Sequence, residues 1–335
     1  MKDRNTGYYR KSQVTKPLKD LKEKQWKDFK WILNQAFQNS QYYKNKLKEV
    51  NLTPEDISDK EKISKIPLTT KEEFLNAQRE NPPWGGLLML PINKIGTILV
   101  SIINNKPFLI PTSLKEASAS GNISSKALFS AGLRKGDIID IAVSLAAGGA
   151  RGFGIFQSML TFGCCAVPLG STGHKSQIQT IKQLGINGII SDIMFFQTLT
   201  ETCEKEGINP KDLKIDVGCV VGSPLGDEIR KELINKWDMV LRGLIVHDEV
   251  GVVGRECPQM DGFHLSEELF VEILDTSSSE PVNVGDEGEI IVTIPFRDTL
   301  PYVRFRIGAK GSITEETCEC GRTSPRLVNY PRRLD

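Results

Sequence analysis

Apolar residues recur at three- and four-residue spacing early in the chain: Trp26, Phe29, Leu33 and Phe37, then Tyr42, Tyr43 and Leu47. That period predicts helices with one face turned to a core. Asn51-Leu-Thr-Pro-Glu-Asp and Leu68-Thr-Thr-Lys-Glu-Glu-Phe read as helix starts, each with a Thr ahead of acidic first-turn residues. Pro82-Pro-Trp-Gly-Gly separates this helical region from the rest of the chain. From about residue 94 short apolar runs alternate with helical stretches. Strands are predicted at 95–103, 107–110, 137–143, 164–168, 188–191, 215–221 and 239–246, with helices at 114–131, 154–162, 176–184, 195–206 and 227–237. Gly132, Gly185 and Gly207 stand as stops. Strands separated by helices of this length require crossovers, which make a largely parallel sheet. After residue 250 the helical period is lost, and 263–273, 287–294 and 302–306 read as strands joined by turns. The segments expected are therefore a helical arm at 1–85, an α/β core at 86–250 and a β-rich subdomain at 251–335.

Charge narrows the function. Lys plus Arg number 43 against 42 for Asp plus Glu, a net of +1, without the cationic excess that drives nucleic-acid binding. The N-terminus has no apolar signal region, and no apolar run nears the roughly 20 residues that span a bilayer. A cytoplasmic protein that binds neither nucleic acid nor membrane is expected. Seven cysteines, an odd number, make a poor disulfide framework. Cys164, Cys165, Cys203 and Cys219 read as buried thiols.

Four other residues form the strongest chemical signal. Cys257, His264, Cys318 and Cys320 are a Cys3His set, the usual complement of tetrahedral structural zinc. Asp261-Gly262 can turn Cys257 and His264 toward each other, and Gly321 frees the backbone beside Cys318-Glu-Cys320. Separate thiols and a surface histidine are the competing reading. His247-Asp248-Glu249 ends a predicted strand, where α/β folds place ligands; it is an acid–base cluster, a magnesium remnant or a solvated loop. The stretch 146–152, with Gly148, Gly149 and Arg151, lines an acyl or carboxylate pocket or simply turns tightly from strand to helix. Gly170-Ser-Thr-Gly173 with His174 and Lys175 is a weaker anion-binding candidate.

Several ordered segments resemble the phenylacetate–CoA ligase family of adenylate-forming enzymes. They include Ile66-Pro-Leu-Thr-Thr-Lys-Glu, Ala131-Gly-Leu-Arg-Lys-Gly-Asp, Glu206-Gly-Ile-Asn-Pro-Lys-Asp-Leu, Glu256-Cys-Pro-Gln-Met-Asp-Gly-Phe-His264, Leu300-Pro-Tyr-Val-Arg-Phe-Arg-Ile-Gly308 and Cys318-Glu-Cys-Gly-Arg-Thr. The resemblance runs from about residue 40 to the end. It implies an adenylate-forming N-terminal α/β domain with a C-terminal β-barrel-like subdomain. It also implies a reaction in which a carboxylate meets ATP and magnesium, becomes an acyl-AMP and passes to coenzyme A. The Cys3His positions match family residues that look like a metal site.

Departures from the family pattern fall on its nucleotide loops. The Ser/Thr/Gly-rich phosphate loop corresponds to Ser101-Ile-Ile-Asn-Asn-Lys106-Pro107, where both glycines are larger residues. An adenine loop corresponds to Gly222-Ser223-Pro224, without its Glu. Ile245-Val-His247-Asp248-Glu249 keeps the Glu that approaches magnesium, whereas Ala309 replaces the ribose-binding Asp. Tyr330-Pro-Arg-Arg-Leu-Asp335 falls on the family's hinge, so the lid and its catalytic lysine are expected to be absent. By resemblance Glu249 and Lys106 are the catalytic candidates, and Ser101, Gly148, Gly149, Gly222, Ser223, His247 and Asp248 the substrate or nucleotide contacts. The expected function is a binding, scaffold or regulatory subunit with a decayed adenylation site. Its partner would be another chain over the lid face or a second copy, and its ligand a small carboxylic acid or acyl-CoA. The alternative is a working acid–CoA ligase or acyl/AMP transferase with its lid elsewhere.

Overall fold

The computed structural model describes residues 2–103, 105–145, 150–170, 172–222 and 225–333, with side chains through Asn329. Helices α1 (Lys11–Val14), α2 (Leu18–Asn39), α3 (Gln41–Glu49) and α4 (Lys71–Glu80) precede the hairpin β1 (Ile95–Ile103) and β2 (Lys106–Ser113). Next come α5 (Leu114–Ser130), β3 (Ile138–Ile141), α6 (Ala150–Phe162), β4 (Cys165–Val167), α7 (His174–Leu184), β5 (Gly188–Ser191) and α8 (Ile193–Lys205). They are followed by β6 (Val217–Val221), α9 (Asp227–Trp237), β7 (Val240–His247), β8 (Gly251–Arg255) and β9 (Phe263–Leu265). The last strands are β10 (Phe270–Leu274), β11 (Gly288–Thr293), β12 (Phe305–Thr314) and β13 (Arg326–Arg333).

Contacts group these elements into two units that cut across the 1–85, 86–250 and 251–335 segments of the sequence. One unit comprises Met1–Val14, Ser120–His264 and Cys318–Cys320; the other comprises Thr15–Ala119, Leu265–Thr317 and Gly321–Asp335.

The first unit is the expected α/β layer structure. Its strands run in the order β4-β3-β5-β6-β7, all parallel, with β8 antiparallel to β7 and β9 beside β8. The chain leaves β3 for β4 on one side and returns to β5 on the other, so right-handed crossovers must put α6 and α7 on opposite faces. The cores agree. Ile178 and Ile181 of α7, Phe196 and Leu199 of α8, and Leu233 and Trp237 of α9 share one cluster. Ala127 and Leu128 of α5 and Ile155, Met159 and Phe162 of α6 share another. Alternation along β6 serves both, since Val220 enters the first cluster and Val217, Cys219 and Val221 the second. Burial on both faces explains why these strands read as continuous apolar runs. Each fully buried Leu, Ile or Phe contributes about 1.5–3 kcal/mol, so the two faces hold the layers without help from the loops.

The second unit joins the helical arm to the antiparallel strands β10-β11-β12-β13. Phe29 of α2 packs on Phe270 of β10 with ring centroids 4.8 Å apart. Phe74 of α4 meets Phe108, Tyr302 and Phe305. Buried Arg304 pairs with Glu272 at 3.0 Å and donates to the carbonyls of Ser64 and Ile66. The Thr caps expected from sequence are present. Thr70 and Glu73 form a reciprocal capping box at the start of α4, and Thr53 and Asp56 do the same for a short 3-10 turn.

Four strand assignments differ most from the sequence reading. The single strand expected at 263–273 is two, because Leu269 N–H turns back to the Ser266 carbonyl. The strand expected at 302–306 begins at Phe305 and runs to Thr314. β8 and β13 add to the strands that the apolar pattern predicts, since their glycines and prolines mask the alternation. Cys165 is also exposed, against expectation, because β4 is the edge of the parallel sheet. Burial pushes the Cys164 thiol up to about 12 and the Cys203 thiol up to about 11, as inert packed cysteines require.

Candidate metal centre and strand-end site

Cys257 follows β8, and a turn closed by Met260 N–H on the Cys257 carbonyl brings the chain round to His264 in the middle of β9. Met260 and Gly262 sit at positive φ, 53° and 79°, which gives the turn its sharpness. Cys318 and Cys320 lie on the loop between β12 and β13, where the Cys320 carbonyl accepts from Tyr8 Oη at 2.9 Å.

The ligand atoms converge. Cys257 Sγ is 3.7 Å from Cys318 Sγ, and Cys320 Sγ is 3.3 Å from His264 Nε2. All four ligand atoms lie within 4.8 Å of one another. Zinc bonds of about 2.3 Å to sulfur and 2.0 Å to nitrogen place tetrahedral ligand atoms about 3.4–3.8 Å apart. Cysteine sulfurs 3.7 Å apart are also well outside disulfide length. The set fits a tetrahedral dication, and separate thiols with a surface histidine do not describe it, since Cys257 and His264 are completely buried. Hydrogen bonding with Cys320, then burial, pushes the Cys257 thiol far up; burial first, and then the Cys320 side chain, raises Cys318. Crowded neutral thiols of this kind become thiolates only when a cation enters.

Support behind the ligands comes from Glu256, which sequence reading missed. Its carboxylate accepts from Arg230 Nη1 at 2.9 Å and Nη2 at 2.6 Å and from the Gly243 N–H at 2.5 Å. Its carbonyl accepts from Ser130 Oγ at 2.6 Å. The backbone next to Cys257 is thereby fixed from three elements. The only signal in the sequence was a charged residue adjoining a candidate ligand.

A second group lies at the carboxyl ends of the parallel strands. Glu249 is completely buried, and His247 Nδ1 lies 2.9 Å from its Oε2. Asp248 Oδ1 accepts from Arg151 Nε at 2.9 Å. Gly222, directly after β6, has φ +100°. Gly148, Gly149 and Ser223 lie outside the described residues.

Ser101 and Lys106 belong to the other unit. Ser101 is buried in β1 and Lys106 is the exposed first residue of β2. The stretch matched to a phosphate loop is the closed end of a hairpin, with Ser101 opposite Phe108, Ile102 opposite Pro107 and Ile103 opposite Lys106. Its backbone is registered as an antiparallel ladder, and Ile102 stands 49% exposed where the family pattern has small residues. Ala309, at the ribose position of the pattern, faces Arg333 across the β12–β13 ladder.

No protein-family model matches the chain. A solved 2-hydroxyisobutyryl-CoA ligase, in complex with its acyl-AMP and CoA, superposes with a TM-score of 0.91 at 18% identity over 100% of this chain and 74% of that one. A long-chain-fatty-acid-CoA ligase from Archaeoglobus fulgidus superposes less closely, with a TM-score of 0.56 at 14% identity over 72% of this chain and 53% of that one. The fold is thus that of the adenylate-forming ligases. Among curated sequences, phenylacetate-coenzyme A ligase of Pseudomonas putida is 26% identical over 301 residues, covering 85% of this chain and 65% of that protein. The enzyme of the same name from Thermus thermophilus is 23% identical over 339 residues, 98% of this chain and 73% of that protein. Within that fold, the curated sequences that this chain resembles along most of its length are phenylacetate–coenzyme A ligases. The chain spans about two thirds of the length of the first of these relatives. Among the described residues no helix is long and apolar enough to cross a membrane.

Proposed function

We propose that this chain binds a small carboxylic acid, of the kind the relatives' names imply, without adenylating it by its own residues, and that it works as a binding or regulatory subunit. The observation that carries this reading is the hairpin end at Ser101–Pro107. A phosphate loop works by leaving successive backbone N–H groups free to converge on phosphate oxygens. Here a registered ladder runs to Ile103 and Lys106, and the bulky Ile102 side chain stands beside it. Ala309 leaves the ribose hydroxyls without their carboxylate partner. A structural zinc on Cys257, His264, Cys318 and Cys320, a cytoplasmic location, and a protein partner or second copy over the strand-end face belong to the same proposal.

One observation favours the second reading, a working acid–CoA ligase completed by residues outside this sequence. Glu249, the family's magnesium-approaching carboxylate, is kept, buried and set against His247. Nucleotide affinity separates the two. Calorimetric titration of ATP and of AMP, each with magnesium, is expected to show no saturable binding up to about 1 mM, a weaker interaction than about −4 kcal/mol. Saturable binding of ATP well below that concentration, lost in Glu249→Ala, favours the ligase.

A further inference from the structure

In open α/β sheets ligands bind at the carboxyl ends of the strands where the order of strand addition reverses. That reversal lies between β3, flanked by β4, and β5. Arg151 stands at this edge, as the second residue of α6, the helix that follows β3. Its Nε donates to Asp248 Oδ1 at 2.9 Å, just beyond the end of β7. Among the described residues, that is the one hydrogen bond its guanidinium makes. The side chain is 38% exposed.

The neighbours give this arginine room and direction. A Cβ on Gly222 would lie only 3.1 Å from Arg151 Nη1, and φ +100° disfavours any side chain there, so glycine at this position leaves the guanidinium its place. Gly152, the next residue, packs so closely that a Cβ would meet the Ser144 carbonyl oxygen at 2.1 Å and Leu145 Cδ2 at 3.2 Å. Leu145 therefore sits beside the first turn of α6, with 36% of its surface exposed. The result is a cation held through one nitrogen, with no hydrogen bond on its Nη1–Nη2 edge among the described residues and an exposed apolar side chain nearby. The amino-terminal end of a thirteen-residue helix adds a field that favours negative charge.

We infer that Arg151 anchors the carboxylate of a small organic acid through its Nη1–Nη2 edge, with Asp248 fixing the plane of the guanidinium from behind and Leu145 meeting the apolar body. A carboxylate is planar and matches the fork of an arginine in two parallel hydrogen bonds. An apolar neighbour selects an acid with a hydrocarbon part over inorganic phosphate. The inference rests on the proposed acid-binding function and names the residue that performs it.

The test is calorimetric titration of the full chain with phenylacetate and butyrate, against phenylacetamide and butyramide. Saturable binding of at least one acid, without binding of its amide, is expected. Arg151→Met should weaken that binding about 10- to 100-fold, as loss of a charged hydrogen-bond partner does, and Arg151→Lys by about tenfold through loss of the fork. Asp248→Asn keeps the Oδ1 acceptor and removes a nearby negative charge, so it should tighten binding by about threefold or more, an effect that loss of a merely structural contact does not produce. Lys182→Ala, an exposed cation in the last turn of α7, should bind as the parent does. Equal binding of acid and amide, parental affinity in Arg151→Met, phosphate binding in place of the acids, or no binding of either acid overturns the inference. Acid binding through Arg151 accompanied by pyrophosphate release from ATP contradicts the proposed function instead and leaves the Arg151 assignment standing.

Discussion

Elemental analysis of the purified chain is expected to find about one zinc per molecule, and Cys320→Ser is expected to release it. The geometry fixes the sign of the effect. With the cation present, Cys257, Cys318 and Cys320 are thiolates whose mutual repulsion the metal cancels. Without it, three thiols and an imidazole crowd within 4.8 Å, with Cys257 and His264 fully buried. Losing a ligand from such a buried charged cluster costs about 3–5 kcal/mol, the scale on which breaking buried ion pairs is felt. The damage should be local. The clusters built on α5–α9 contain none of the four ligands, so the parallel sheet should keep its protection against hydrogen exchange while β8, β9 and the Cys318–Cys320 loop lose theirs. A purified chain that holds no metal and loses no stability on Cys320→Ser would sink the zinc assignment.

Arg4→Ala is the second substitution with a large expected effect, and its size should depend on pH. Arg4 is buried, with Nη1 2.7 Å from Asp137 Oδ2 and Nη2 3.0 Å from Asp216 Oδ2. It also donates to the Gly132 carbonyl at 2.9 Å, and its own carbonyl accepts from Arg242 Nη1 at 3.0 Å. Asp137 precedes β3 and Asp216 precedes β6, so the N-terminal segment ties down the amino ends of the parallel strands. Burial opposes the charged form of Asp137. Hydrogen bonds from Arg4, then Lys2 and the Arg134 N–H, outweigh it and hold the carboxyl at about 2. A carboxyl depressed on folding stabilises the protein above its ordinary range and loses that contribution as pH falls toward its folded value. Arg4→Ala should therefore cost about 3–5 kcal/mol at pH 7, because a fully buried carboxylate loses its main partner, and the gap should narrow between pH 4 and pH 2. Urea unfolding of both proteins across that range measures it. A penalty below about 1 kcal/mol, or one that does not change with pH, contradicts this assignment.

The parallel sheet was legible because its signal is local. β5 and α9 fall where the apolar pattern and their stops place them, Gly188–Ser191 and Asp227–Trp237, since strands buried on both faces and capped amphipathic helices announce themselves within a few residues. The later strands were less legible. β8 carries glycines at Gly251 and Gly254, and β13 follows Pro325, so alternation alone passes over them. The four metal-site residues were visible as types, but their convergence depends on pairing between distant stretches that no spacing rule supplies. Arg230 and Tyr8 gave no signal, and Glu256 only its place beside a candidate ligand, because each acts by reaching across the fold to a side chain or a backbone atom. The Arg4 contacts to Asp137 and Asp216 are equally remote, spanning 133 and 212 positions.

The ligase fold is kept here, and the proposal is that these residues do not carry the adenylation chemistry. In-line attack of a carboxylate on ATP needs the triphosphate cradled, its charge neutralised and the ribose fixed. On the proposed reading Glu249 and Lys106 remain for the second need, while the hairpin strands at Ile102 and Ile103 and the alanine at 309 leave the other two unmet. Each missing charged contact costs about 1.5–3 kcal/mol, so several together lower the rate by many orders of magnitude. Ala309→Asp alone should not restore the reaction, because the hairpin is unchanged. The direct measurement is pyrophosphate release from ATP by residues 1–335 alone, across a panel of aryl and aliphatic acids. No release above the acid-free background is the expected result; acid-dependent release abolished by Glu249→Ala would contradict it.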